Sequence, residues 1–177
     1  MLSEQELNKI FSWLPYETNW PIDRNGKGDS IESYFRRLLY RIRNNGSFNT
    51  YQSQDGSLSN YLEFFCFPKA DLYNGNAIAV YVSLCAPIAC YGQTEFFRNE
   101  NYTGHNFLRP DQVGVVIDDR LKIIEEEIID ILGENQLELL NKEFANRPLP
   151  EKIVDNLKNS NLNVGDRYLH GLFQCQG

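Results

Sequence analysis

Apolar and polar positions change period twice along this chain, from helical to strand-like after Asn45-Gly46 and back to helical after Ile117. Leu7, Ile10, Phe11 and Leu14 form one apolar stripe, which predicts a helix over Ser3 to Leu14. Ser3 and Glu6 have capping-box spacing, Leu2 and Leu7 are placed to staple the helix start, and Pro15 helps to end it. Tyr16 to Lys27 reads as a loop with turn signals at Trp20-Pro21 and Asn25-Gly26, anchored by Trp13 and Trp20. A second helix is predicted over Asp29 to Asn44, with Asp29 as cap and Glu32 three residues on. Its buried face is Ile31, Tyr34, Phe35, Leu38, Leu39 and Ile42, and Asn45-Gly46 supplies the stop.

Two strand-like runs, Phe48 to Gln54 and Leu58 to Phe67, flank Asp55-Gly56, a hairpin signal. Asn74-Gly75-Asn76 reads as a turn. Ala77 to Cys85 is rich in β-branched and apolar residues, as a central strand requires. Pro87 interrupts pairing, and Ile88 to Phe97 continues as a further strand. Arg98 to Asp111 is polar and turn-rich and reads as a long surface loop. Gln112 to Ile117 reads as a short strand.

Asp118 or Asp119 then caps a helix to about Leu132, with Gly133 as a break or kink. Leu137, Leu140 and Phe144 predict that Glu134 to Phe144 is helical again, and Pro150 starts a short helix over Glu151 to Lys158. The apolar tail Val164 to Gln174 is expected to dock on the body. Helices, then sheet, then helices give an α+β fold. The expectation is an antiparallel sheet of about four to five strands with helices packed on one face, N-terminal and C-terminal helices flanking the sheet. With no repeat or linker-like shift in composition, residues 1–177 read as a single domain.

Charge narrows the function classes. A formal net charge of -7 argues against general nucleic-acid binding, which needs a basic footprint. The same charge attracts basic proteins. The longest apolar stretch, about Ala77 to Tyr91, contains Ser83 and Pro87 and is shorter than the ~20 residues of a membrane helix, so no membrane association is expected. Met1 to Glu6 has neither a basic nor an apolar signal region, which places the chain in the cytoplasm, with Cys66, Cys85, Cys90 and Cys175 as reduced thiols.

Five groups of residues are candidates for chemistry. Arg36, Arg37, Arg41 and Arg43 lie opposite the apolar stripe of the second helix and read as a solvated basic face, with anion contact as the rival. Glu125, Glu126 and Glu127, with Asp118, Asp119 and Asp130, form an acidic run. Consecutive residues fan out around a helix, so this run cannot make a carboxylate pair for glycosidase-like catalysis, but it can meet a basic partner. His105 and His170, the only histidines, and the cysteines lack metal-ligand spacing, so no metal or cofactor is expected; cysteines in apolar strands read as inert core. Asn25 to Ser30 resembles a phosphate loop only superficially, without its spacing or a preceding strand. Tyr61, Phe64, Phe65, Phe67, Tyr81, Phe96 and Phe97 serve either as core or as the lining of a ligand pocket.

Tyr168-Leu169-His170-Gly171-Leu172-Phe173-Gln174-Cys175 resembles the short apolar ending of some small bacterial immunity proteins, and Ala86-Pro87-Ile88-Ala89-Cys90-Tyr91-Gly92 is similar in style to the middle of their aromatic-rich sheets. The resemblance covers these two segments and the general organisation. It implies a cytoplasmic, acidic α+β protein, encoded beside a polymorphic or contact-dependent toxin, that binds and blocks the toxin domain. With no catalytic grouping, the expected function is a non-enzymatic protein-binding module, an immunity or inhibitor protein that occludes a basic toxin or nuclease domain. The expected contact residues are Glu125, Glu126 and Asp130, with Tyr102, His105 and Asn106 of the Arg98–Asp111 loop. The alternatives are a Cys/His-dependent enzyme with a sheet-side pocket, and a small-ligand or scaffold domain using the aromatic face.

Overall fold

Both side-chain sets of the central strand β4 (Asn74–Ser83) are apolar, and this decides the architecture. Alternate residues of a strand face opposite sides of a sheet. Ala77, Ala79 and Tyr81 join one core, while Ile78, Val80 and Val82 join another. A strand buried on both sides needs a layer on each, so the expected one-faced arrangement of helices is corrected to a two-faced one. The α+β class itself holds. The computed structural model describes residues 2–12, 31–53, 58–70, 74–98, 103–158 and 165–176.

Among the described residues the main sheet has six strands. β1 (Phe48–Gln52), β3 (Tyr61–Pro68), β4, β5 (Ile88–Arg98) and β6 (Thr103–His105) lie side by side and antiparallel, and β7 (Glu138–Leu139) adds in parallel to the start of β5. The run from Leu58 divides: β2 (Leu58–Ser59) leaves the main sheet and pairs with β8 (Cys175–Gln176). The Asp55-Gly56 hairpin signal lies outside the described residues, although β1 and β3 pair as a hairpin requires. Asn74-Gly75-Asn76 is not a turn but the first part of β4, paired with Phe97, Phe96 and Glu95.

On the first face pack α1 (Glu4–Phe11), α4 (Lys142–Ala145), α5 (Glu151–Lys158) and α6 (Tyr168–Leu172). α1 has its predicted capping box: the Ser3 hydroxyl accepts from Glu6 N–H, and Glu6 accepts from Ser3 N–H at 2.6 Å. The tail is docked as expected. Leu169, Leu172 and Phe173 are buried, and buried Gln174 donates to the Gly171 carbonyl at 2.8 Å and the Ile10 carbonyl at 3.2 Å. On the second face lie α2 (Ile31–Arg43), through Phe35, Leu38 and Ile42, and α3 (Lys122–Glu134), through Ile124, Ile128, Ile131 and Leu132. The Asp29 cap, the loop to Lys27, Trp13 and Trp20 lie outside the described residues.

Three further expectations are corrected. Gly133 does not itself break α3, which runs one residue further to Glu134: Gln136 takes a left-handed φ of 59°, and the N–H groups of Gln136 and Leu137 return to the carbonyls of Gly133 (2.9 Å) and Leu132 (3.1 Å). That is a Schellman ending with glutamine where glycine is usual. The segment Glu134 to Phe144 is then not one helix. Leu137 belongs to the core of the second face, whereas Leu140 and Phe144 belong to that of the first. Their helical spacing arises because the chain crosses the sheet end through β7. Finally, Gln112 to Ile117 is a turn rather than a strand, and the Arg98–Asp111 loop contains β6 and the start of a 3-10 turn, Pro110–Gln112.

Candidate protein-binding surface

The surface grows from the outer edge of β5. β7 covers its beginning and β6 its end. Between them the chain at residues 114–115 lies against the strand, with Gly114 N–H donating to the Tyr91 carbonyl at 2.7 Å and Gln93 N–H to the Val115 carbonyl at 3.0 Å. Gly92 permits this approach, because a Cβ there would overlap the Gln112 carbonyl oxygen. Beside this junction a polar groove of 540 Å³ is lined by Asn76, Gln93, Glu95, Asn106, Arg109 and Gln112, among others.

Gln93 connects the groove to the acidic helix. Its Oε1 accepts the N–H groups of Ile117 (2.8 Å) and Asp118 (2.9 Å). Asp118 then opens the 3-10 turn Asp119–Leu121 that leads into α3. Its carboxylate accepts from the Arg120 guanidinium at 2.8 Å, the Asn76 amide at 2.9 Å and Arg120 N–H at 3.0 Å. These partners, the Arg120 guanidinium first, hold its carboxyl well below the usual range.

α3 separates the predicted carboxylates. Glu126 and Asp130 are exposed, one turn apart on the outer ridge. Glu125 is turned aside and half-buried: it accepts from the Tyr91 hydroxyl and from Lys122 Nζ, both at 3.1 Å. Burial, then the nearby Glu125 charge, pushes the Tyr91 phenol up to about 12. Glu125 thus ties helix to sheet. Ile123, three residues before Glu126, is 72% exposed, and Ile117 is 77% exposed. Neither belongs to the charged or polar groups that the sequence marks as candidate contacts. A signal was present, since the register of Leu121, Ile124, Ile128 and Ile131 leaves Ile123 outside the core.

The loop residues also divide. Asn106 is exposed and lines the groove. His105 is turned inward, its Nε2 3.5 Å from the buried Glu63 carboxylate and its ring 4.5 Å from that of Phe65. Tyr102 lies outside the described residues.

The rival sites fare differently. Phe65 stacks on Phe96 at 4.8 Å and Tyr81 on Phe107 at 4.9 Å, so these aromatics fill the first-face core rather than line an open pocket. The Tyr81 hydroxyl accepts from Leu108 N–H at 2.9 Å, and burial pushes its phenol well above the usual range. The cysteines are thiols, with Cys66, Cys85 and Cys90 buried and Cys175 half-buried. Burial pushes Cys66 up to about 12 and Cys90 higher, the opposite of what a thiolate nucleophile needs. Burial also holds His170 below its ordinary value. Among the described residues no group of three or more His, Cys, Asp or Glu is arranged to hold a metal, and no helix is long and apolar enough to cross a membrane.

In comparisons with protein-family models, with curated proteins and with solved structures, nothing matches this chain.

Proposed function

We propose that this chain is a non-enzymatic binding module, an immunity-type inhibitor that covers the active surface of a basic toxin or nuclease domain in the cytoplasm. The observation that carries the reading is the pair of exposed isoleucines, Ile117 and Ile123, in the stretch that also exposes Asp119, Glu126 and Asp130. Exposed isoleucine gains by losing water, and aliphatic anchors within a charged rim are how interfaces combine affinity with steering. Glu126 and Asp130 draw a cationic partner in, and the isoleucines hold it. The polar groove, with Glu95, Asn106 and Arg109, adds hydrogen-bonding capacity at the other end of the surface.

The test is affinity capture from native lysate at low and high salt, with the double variant Ile117→Asp/Ile123→Asp as the control bait. A stoichiometric basic protein held by the native chain, weakened by salt and lost with the variant, supports the reading. The captured protein's activity should then fall on titration with the native chain. Capture of nothing, or equal capture by both baits, overturns it.

A further inference from the structure

Three of the four helix arginines line one open, shallow groove. Arg36, Arg37, Tyr40 and Arg41 are all exposed on the side of α2 opposite Phe35, Leu38 and Ile42, as their spacing of one helical turn dictates. Together with Glu134 and Asn135 at the end of α3 they line a groove of 580 Å³. Arg43 lies apart and donates to Gln52 Oε1 at 2.6 Å. The far wall is firmly placed: Tyr34 Oη donates to the Asn135 carbonyl at 2.9 Å, Asn135 Nδ2 to the Ile131 carbonyl at 2.7 Å, and Arg41 Nε reaches Glu134 at 3.3 Å. Among the described residues the lining of this groove carries the guanidinium groups of Arg36, Arg37 and Arg41 and the carboxylate of Glu134. Among them stands Tyr40, with 70% of its surface exposed.

We propose that this groove binds a nucleoside monophosphate, with the phosphate between the arginine forks and the base against the Tyr40 ring. Guanidinium groups match phosphate oxygens in pairs, and an aromatic ring offers a stacking surface to any base. Both features are needed to use the whole groove. A carboxylate peptide would satisfy the arginines and leave the tyrosine ring uncovered. A long polynucleotide would extend over a protein surface that is acidic on balance. Glu134 places acceptor oxygens at the opposite wall, where sugar hydroxyls can donate.

The experiment is calorimetric titration of the intact protein at low salt with AMP, GMP and UMP, with inorganic phosphate, with the matching nucleosides and with a hexaglutamate peptide. The expected order is a nucleotide at least roughly tenfold tighter than phosphate or nucleoside, because stacking and phosphate contact act together. Arg36→Gln/Arg41→Gln should weaken nucleotide and phosphate alike. Tyr40→Ala should weaken the nucleotide by roughly tenfold and leave phosphate unchanged. These positions are exposed, and circular dichroism checks that the variants fold. The assignment is overturned by a nucleotide that binds no better than phosphate, by indifference to Tyr40→Ala, or by a hexaglutamate or oligonucleotide that binds tighter than the mononucleotide.

Discussion

Gln93 Oε1 accepts the Ile117 N–H at 2.8 Å, so a side chain of the central sheet sets where an exposed isoleucine stands. The same oxygen accepts from Asp118 at 2.9 Å, fixing the turn that launches α3. Replacing Gln93 with alanine removes the acceptor for both groups. The expected cost is about 1–2 kcal/mol in denaturant unfolding. Because Ile117 and α3 lose their common support, capture of the partner should weaken as well. Unchanged stability would show that water replaces the amide at no cost.

The isoleucines themselves should behave oppositely. Ile117→Ala/Ile123→Ala removes side chains that are mostly in solvent, so stability should stay within about 0.5 kcal/mol. Partner affinity should fall by roughly tenfold or more, as for truncated interface anchors. Affinity that survives the double variant, measured by calorimetry with the captured partner, would move the interface elsewhere.

Local rules read the fold well where one face and one period governed a segment. The Ser3–Glu6 box, the α2 stripe and the strand at Ala77 are all legible, because cap, spacing and apolar content agree. They failed where the chain changes faces. Leu137 and Leu140 look like one helical stripe but enter opposite cores, and no local pattern separates that from a helix. The candidate surface was half legible. The exposure of Glu126 and Asp130 follows from helix geometry, whereas the inward engagement of Glu125 depends on Tyr91, 34 residues away, and that of His105 on Glu63.

Thiol reactivity should follow burial. Cys66, Cys85 and Cys90 are buried, and burial raises Cys66 to about 12, so almost no Cys66 thiolate exists near neutral pH. Native alkylation should therefore label half-buried Cys175 first, with the other three reacting only after denaturation. Peptide mapping after iodoacetamide treatment reads this directly. Rapid native labelling of Cys90 would instead revive the Cys/His enzyme reading.

Gly92 should tolerate no side chain. A Cβ there would overlap the Gln112 carbonyl oxygen, a backbone atom that cannot rotate away, and would press on Leu108 at 3.2 Å. Gly92→Ala should cost about 1–3 kcal/mol, the usual range for overpacking. At this chain length that lowers Tm by about 2–4 °C for each kcal/mol. Gly133→Ala is the contrast, because nothing lies within 4 Å of its added Cβ and the site is helical. That variant should be neutral or stabilising by up to about 1 kcal/mol. Equal losses from both glycines would contradict the close-approach argument.

Asp118 should make stability depend on acid. Its carboxyl is held low by the Arg120 guanidinium, then the Asn76 amide, then Arg120 N–H. A group whose folded pKa is depressed stabilises the fold above its unfolded pKa, about 3.9 for aspartate, and loses that contribution as pH falls toward the folded value. Asp118→Asn keeps a capping side chain but removes the negative charge that faces Arg120. The gap in denaturation midpoint between native protein and variant should thus be steady near neutral pH and narrow below about pH 4. Arg120→Gln should reduce that narrowing, because it removes the largest cause of the shift while leaving the Asn76 bond in place. A gap that stays constant down to about pH 2 would mean that Asp118 titrates alike in the folded and unfolded chains, and that its bonds contribute only as a neutral cap would.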